Sequence, residues 1–152
     1  MINIECKSFD QLTKEELYEI LKLRQEIFIV EQNCPYLDAD GKDLEAYHVI
    51  LKEEEEILAY TRLLDKGISY ENYVSIGRVI NKASARGRGL GKQVMKYSID
   101  KIQELYPGHS IKLSAQCYLD KFYKNLGFKM VGDSYLEDDI PHQAMIYDIA
   151  TQ

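Results

Sequence analysis

The stretch from Tyr73 to Lys92 constrains this chain more than any other. It reads as a strand, Tyr73 to Ile80, then a short connection, Asn81-Lys82-Ala83-Ser84-Ala85. Arg86-Gly87-Arg88-Gly89-Leu90-Gly91-Lys92 then opens a long helix. Glycines at alternate positions free the backbone for positive φ and for close approach. A helix start carries unpaired N–H groups and the positive end of the helix dipole. Together these features make a cradle for an anion such as phosphate or pyrophosphate. Arg86, Arg88 and Lys92 add charge around it. The competing interpretation is a glycine-rich turn that merely leads into an amphipathic helix. Charge distribution favours the cradle. Residues 78–101 hold seven basic side chains and one acid, a local +6, whereas the whole chain is −6. One site attracts an anion on a protein that otherwise repels anions.

Two commoner phosphate motifs do not fit. A P-loop needs Gly-x-x-x-x-Gly-Lys-Ser/Thr. Here Arg86 occupies the first glycine position and Gln93 follows the lysine. A dinucleotide fingerprint needs Gly-x-Gly-x-x-Gly, and the third glycine comes one residue early.

The rest of the chain surrounds this motif with alternating and helical patterns. Asn3 to Phe9 reads as a strand. Thr13-Lys14-Glu15-Glu16 is a capping box, and apolar spacing carries the helix behind it to about Val30. Residues 31–45 read as loop with one short helical turn. Tyr47 to Lys52 and Ile57 to Leu64 read as strands around an acidic hairpin tip. The motif helix runs from about Gly89 to Leu105 and ends at Pro107-Gly108. Ser110 to Ala115 is a strand. A short helix follows through Tyr118, Phe122, Tyr123 and Leu126, stopped by Gly127. Phe128 to Val131 and His142 to Ile149 close the order β-α-β-β-β-α-β-α-β-β. The fold class is α/β (α+β), a mixed sheet flanked by helices. Residues 1–152 are expected to form one domain.

Arg86-Gly87-Arg88-Gly89-Leu90-Gly91 matches the Arg/Gln-x-x-Gly-x-Gly/Ala loop of the GNAT N-acetyltransferase superfamily. Phe122-Tyr123-Lys124-Asn125-Leu126-Gly127-Phe128 resembles that family's late Tyr-x-x-x-Gly-Phe signature. Gln116 sits where many members have a CoA-contacting asparagine. The resemblance covers nearly the whole chain in element order. A narrower likeness is to the ElaA-like branch. It is carried by Leu23 to Tyr36, Gly77-Arg78-Val79, Leu113-Ser114-Ala115-Gln116 and Tyr135 to His142. Members of that branch usually have glycine where Asp139 stands, so this chain adds a charge beside the expected acceptor site.

The resemblance implies a mostly antiparallel sheet that splays between its fourth and fifth strands, with acetyl-CoA lying in the gap. The expected cofactor contacts are Val79, Ile80, Arg86, Gly87, Arg88, Gly89, Leu90, Gly91, Lys92, Gln116 and Tyr123. An amine would attack the thioester directly. A backbone N–H near Val79 or Ile80 would face the thioester oxygen, and Tyr123 would protonate the leaving thiolate. Tyr123 could instead be core packing, and Gln116 could cap a strand end. The base is not evident, because Tyr73 to Ile80 contains no carboxylate. Glu31, His48 and His142 are candidates, acting directly or through water. The expected acceptor pocket holds Glu31, Gln32, His48, Arg78 and His142. Arg78 is expected to pair with Glu31 or Asp43, or to meet an acceptor carboxylate. Cys117 at a helix start is a conceivable nucleophile but reads better as packing.

The remaining expectations are broader. Three scattered cysteines give no disulfide framework and no metal-ligand spacing, which fits a reducing cytosol. No apolar run reaches the ~18 residues of a membrane span. Net acidity argues against nucleic acid as a partner. Leu136-Glu137-Asp138-Asp139 and the acidic balance point to a cationic amine acceptor. The family often forms homodimers. The rival to an enzyme is an acyl-CoA sensor with the same fold and no turnover.

Overall fold

In the computed structural model, which describes residues 1–151, seven strands form one sheet. They are β1 Ile2–Ser8, β2 Tyr47–Glu53, β3 Glu56–Leu64, β4 Val74–Asn81, β5 Ile111–Gln116, β6 Lys129–Glu137 and β7 Ile140–Tyr147. Gln152, the last residue of the expected domain, lies outside the described residues. The order across the sheet is β1-β2-β3-β4-β5-β7-β6. Every neighbouring pair is antiparallel except β4 and β5, which are parallel.

Three helices cover the sheet: α1 Lys14–Arg24, α2 Leu90–Leu105 and α3 Asp120–Asn125. The capping box forms as read. Thr13 Oγ1 accepts the Glu16 N–H at 3.0 Å, and Glu16 Oε1 accepts the Thr13 N–H at 2.9 Å. Glu16 also accepts hydrogen bonds from Lys7 and Lys52, which fixes the start of α1 over β1 and β2. The first helix is not uniform, as apolar spacing alone implied. α1 ends at Arg24, and a π-helical segment, Gln25–Glu31, continues it. Such segments are often found at functional sites.

Strand alternation sends side chains to two cores. Val49, Leu51, Val74 and Ile76 pack beneath α2 against Val94, Met95, Ile99 and Ile102. Ile50 and Tyr60 face the other way and pack against Ile20, Leu23 and Ile27. Ile80 breaks the expected parity. It lies four and six residues from Ile76 and Val74, yet it joins the second core. The cause is a bulge. Tyr60 faces Ile80 and Arg62 faces Gly77, so Thr61 alone stands opposite Arg78 and Val79. One extra residue reverses the faces of every position after it.

The last strand pair also differs from expectation. β6 runs well past Val131, to Glu137. Four steps from Val131 to Tyr135 match only two on β7, and Gly132 takes φ 72° inside that irregularity.

Candidate active site

β4 and β5 pair only at Val74–Ile111 and Ser75–Lys112. Beyond those positions they part. β5 stays paired to β7 along its full length, while β4 stays with β3 through its bulge. A cavity of about 590 Å³ opens between the diverging strands. Its walls include Gly77 to Asn81 of β4, Leu113 to Gln116 of β5, and Ile27, Glu31 and Gln32 from the π-helical region. The size suits a substantial organic ligand. The expected splay between the fourth and fifth strands is present.

The glycine loop rims this cleft. Gly87 and Gly89 have φ of 86° and 75°, the left-handed region that favours glycine. Gly89 caps α2 without any side-chain hydrogen bond. The first intrahelical bond of α2 is Gln93 N–H to the Gly89 carbonyl, at 3.1 Å. The N–H groups of Leu90, Gly91 and Lys92 precede it and point out of the helix start. Gly91 and Arg86 line the cleft itself, whereas the Leu90 side chain is core. Asn81 also lines the cleft, and its Oδ1 is buried without a partner.

The local +6 is largely neutralised by acids outside the 78–101 segment. Arg86 makes two hydrogen bonds to Glu31, and Arg88 makes two to Glu53. Lys82 pairs with Glu56, and Lys101 with Glu104. Lys92 is exposed, and among the described residues it has no ion pair. The Glu31 carboxylate at a helix C-terminus is therefore explained, since Arg86 offsets the dipole there.

Arg78 is held by partners other than those expected. Its Nε donates to Asp38 Oδ1 at 2.8 Å, and its Nη2 to the Asp38 carbonyl at 3.1 Å and to Asp40 at 3.3 Å. Its guanidinium lies 5.8 Å from the centre of the Tyr36 ring. These contacts hold a non-glycine residue at φ 50°. Such strain persists where surroundings over-determine it. Behind Arg78, fully buried Arg24 donates to Asp38 and Asp43 at 2.7 Å each, and Arg62 donates to Asp40 and Asp43. Three arginines thus meet three aspartates, and the 32–46 loop is fastened to the sheet beside the cleft.

Tyr123 and His142 both line the cleft, at 5% and 7% exposure. The Tyr123 ring packs edge-on against Phe122 and Phe128. Among the described residues no group bonds its hydroxyl, and burial pushes its ionisation well above the ordinary tyrosine range. Gln116 also lines the cleft, opposite His142 in the β5–β7 register. His48 is elsewhere, contrary to expectation. It is fully buried on β2, with Nε2 3.0 Å from the Asp43 carbonyl and Nδ1 2.6 Å from the Tyr60 hydroxyl. A carbonyl only accepts, so Nε2 carries the proton and Nδ1 accepts from Tyr60. Burial lowers its basicity, so it remains neutral.

The acetyltransferase (GNAT) domain model matches residues 10–149. The chain belongs to the GNAT acetyltransferase family. Among GNAT structures, an acyl-CoA N-acyltransferase from Pseudomonas aeruginosa is 41% identical with a TM-score of 0.90. It covers 97% of this chain, which covers 100% of it. Escherichia coli ElaA is 36% identical with a TM-score of 0.91, at the same coverage. A UPF0039 protein of Synechocystis is 38% identical over 149 residues, 97% of this chain and 96% of its own. The likeness to ElaA, first visible in short motifs, extends over 97% of the GNAT chain.

The GNAT cleft also contains residues that sequence reasoning did not single out. Asn81, Tyr36, Cys34 and Ser114 all line it. Asn81 ends the strand that enters the glycine loop, which was the one available signal. Cys34, Tyr36 and Ser114 lie in stretches that carried the ElaA-like likeness, but no site role was assigned to them. Glu137 and Asp138 also line the cleft, at the turn that carries the acidic run.

Proposed function

We propose that this protein is an acyl-CoA-dependent N-acyltransferase that moves an acyl group, acetyl in the first instance, from the thioester directly to a primary amine. One observation carries the reading: the cleft between β4 and β5 has an uncapped helix start at its rim and, in its wall, a largely buried tyrosine whose hydroxyl has no partner among the described residues. The GNAT family uses acyl-CoA, and in this reading the cleft takes the pyrophosphate and the pantetheine of that cosubstrate. The pyrophosphate meets the N–H groups of Leu90, Gly91 and Lys92. The pantetheine follows the free edge of β4 toward Val79.

The amine nitrogen then attacks the thioester carbon. A backbone N–H near Val79 or Ile80 receives the developing oxyanion; one well-aimed donor is worth roughly 3–4 kcal/mol of barrier. The C–S bond breaks, and Tyr123 gives its proton to the departing thiolate. Burial favours the neutral phenol, so the acid is loaded at neutral pH.

The test is calorimetric titration with acetyl-CoA beside ATP and NADH, followed by thiol release with a panel of amines. Acetyl-CoA is expected to bind selectively, and Tyr123→Phe to lower turnover by roughly 100-fold or more while binding persists. Failure to bind acetyl-CoA sinks the reading. Unchanged turnover in Tyr123→Phe removes that residue as the acid. The carboxylate-free β4 favours a second reading, an acyl-CoA sensor. That reading holds if acetyl-CoA binds and no amine elicits thiol release.

A further inference from the structure

The cleft contains one imidazole whose two nitrogens have been given different jobs. His142 sits on β7 between Gln116 of β5 and Tyr135 of β6. Its Nδ1 lies 2.7 Å from the Ile140 carbonyl. That oxygen can only accept, so Nδ1 carries the hydrogen, and in the neutral ring Nε2 holds the lone pair. The ring stacks on Tyr135, with centroids 6.3 Å apart and planes 21° from parallel. The Tyr135 hydroxyl is in turn tied to Ser114 Oγ. The imidazole is thus fixed in tautomer and orientation, and it lines the cavity. Facing Nε2, at 3.4 Å, is Glu137 Oε2. A carboxylate cannot donate a hydrogen bond to a lone pair, so this contact is incomplete until a proton or a cation lies between the two.

The other base candidates are already committed. Glu31 is engaged by Arg86 through both oxygens. His48 is buried away from the cleft with both nitrogens satisfied. β4 offers no carboxylate.

We propose that the acceptor is a primary ammonium ion, that Glu137 anchors it, and that His142 Nε2 is the base that frees its lone pair. This rests on the N-acyltransferase reading. The ammonium donates to the Glu137 carboxylate, and one of its protons passes to Nε2. The resulting imidazolium is held by the Ile140 carbonyl and by Glu137, and the neutral amine attacks the thioester. As the C–N bond forms, nitrogen gives its second proton to Nε2, which has by then passed the first to solvent, and that second proton makes good the one Tyr123 has given to the thiolate sulfur. The ammonium's first proton leaves to solvent through His142. The products are amide, free CoA thiol and one proton. The titratable groups in contact with the ring are Tyr135 and Glu137 of β6. β5 presents only uncharged Gln116 and Ser114.

The test measures thiol release from acetyl-CoA with n-butylamine, 1,4-diaminobutane and a lysine peptide, for wild type, His142→Ala, His142→Gln and Glu137→Gln. The expected result is a roughly 100-fold or greater loss of kcat in both His142 variants. Acetyl-CoA affinity should be unchanged, and added imidazole should partly restore His142→Ala. Glu137→Gln should raise the amine KM about tenfold, with a smaller change in kcat. Wild-type kcat in either His142 variant overturns the assignment. So does a loss of kcat that imidazole does not rescue and that comes with lost acetyl-CoA binding, which marks a structural role. An unchanged amine KM in Glu137→Gln overturns the anchor. If wild type binds acetyl-CoA yet releases no thiol with any amine, the transferase reading itself falls, and this assignment falls with it.

Discussion

Glu31 and Arg86 face each other through two hydrogen bonds, Nη1 to Oε1 at 2.8 Å and Nη2 to Oε2 at 2.7 Å. The pair ties the end of the π-helical segment to the glycine loop, and both residues line the cleft. Arg86 holds the Glu31 carboxyl below the usual carboxylate range, so the pair stays formed into mild acid. A pyrophosphate at the start of α2 must compete with Glu31 for the same guanidinium. Glu31→Gln is therefore expected to tighten acetyl-CoA binding. Both side chains are more than one-third exposed, and such pairs are worth about 0.2–1 kcal/mol. The gain should be at most about fivefold. Calorimetry at two salt concentrations checks it. Weaker binding in the variant would mean that Glu31 aims Arg86 rather than competing for it.

Gly89→Val separates binding from folding. An added Cβ at Gly89 meets nothing within 4 Å, so no core clash arises. The cost is conformational: φ is 75°, and a side chain there adds roughly 1–2 kcal/mol. The same side chain lies across the approach to the α2 N–H groups. Acetyl-CoA binding should be abolished while the melting temperature drops by only several degrees, about 2–4 °C per kcal/mol for a chain of this size. Wild-type affinity in the variant would refute the glycine loop as the phosphate site.

Gly89 also shows why this much of the site was legible. Glycine spacing, a helix cap and a basic run are local signals, and they located the loop without any knowledge of tertiary contacts. Element order was legible for the same reason, because apolar periodicity is local. What failed was non-local or conformational. The π-helical segment is only seven residues, too short for apolar spacing to tell an i→i+5 turn from an i→i+4 turn, so the change at Gln25 left no trace. The strand read from Phe128 stops at Val131, yet β6 continues through Gly132 and Asp133 in an irregularity whose residues are all exposed. Arg78 at positive φ could not be read from its type, and its partners Asp38 and Asp40 lie about 40 residues away. His48 looked like any other histidine until its two hydrogen bonds placed it away from the cleft.

Asp38 joins three donors: Arg24 at 2.7 Å, Arg78 at 2.8 Å and the Tyr36 hydroxyl at 3.1 Å. Arg24 is fully buried and Asp38 is 5% exposed. Removing one member of a buried pair leaves an uncompensated charge, which costs about 3–5 kcal/mol. Asp38→Ala should therefore lower the urea midpoint strongly. Glu56→Ala, which releases only the half-buried Lys82, should cost less than about 1 kcal/mol and leave the midpoint nearly unchanged. Equal midpoints in the two variants would contradict a stabilising role for the arginine–aspartate cluster.

Acid should unlock α1 from the sheet. Burial alone would raise the Glu16 pKa. Hydrogen bonds from Lys52, Lys7 and the Thr13 N–H outweigh burial and bring it to about 2. A depressed folded-state pKa contributes stability that is complete above the unfolded value, ~4.3. That contribution is lost as pH falls through the folded value. Unfolding free energy should fall between about pH 4.5 and pH 2. Asp40, also lowered to about 2 against the burial that opposes it, contributes to the same slope through Arg62. Glu16→Gln removes one titrating group, so its slope in this window should be shallower than that of wild type but not zero. Urea unfolding across the window checks this. Parallel curves would mean that the Lys7–Glu16–Lys52 contact is as strong in the unfolded chain as in the folded one. In that case the contact would contribute nothing to holding α1 on the sheet.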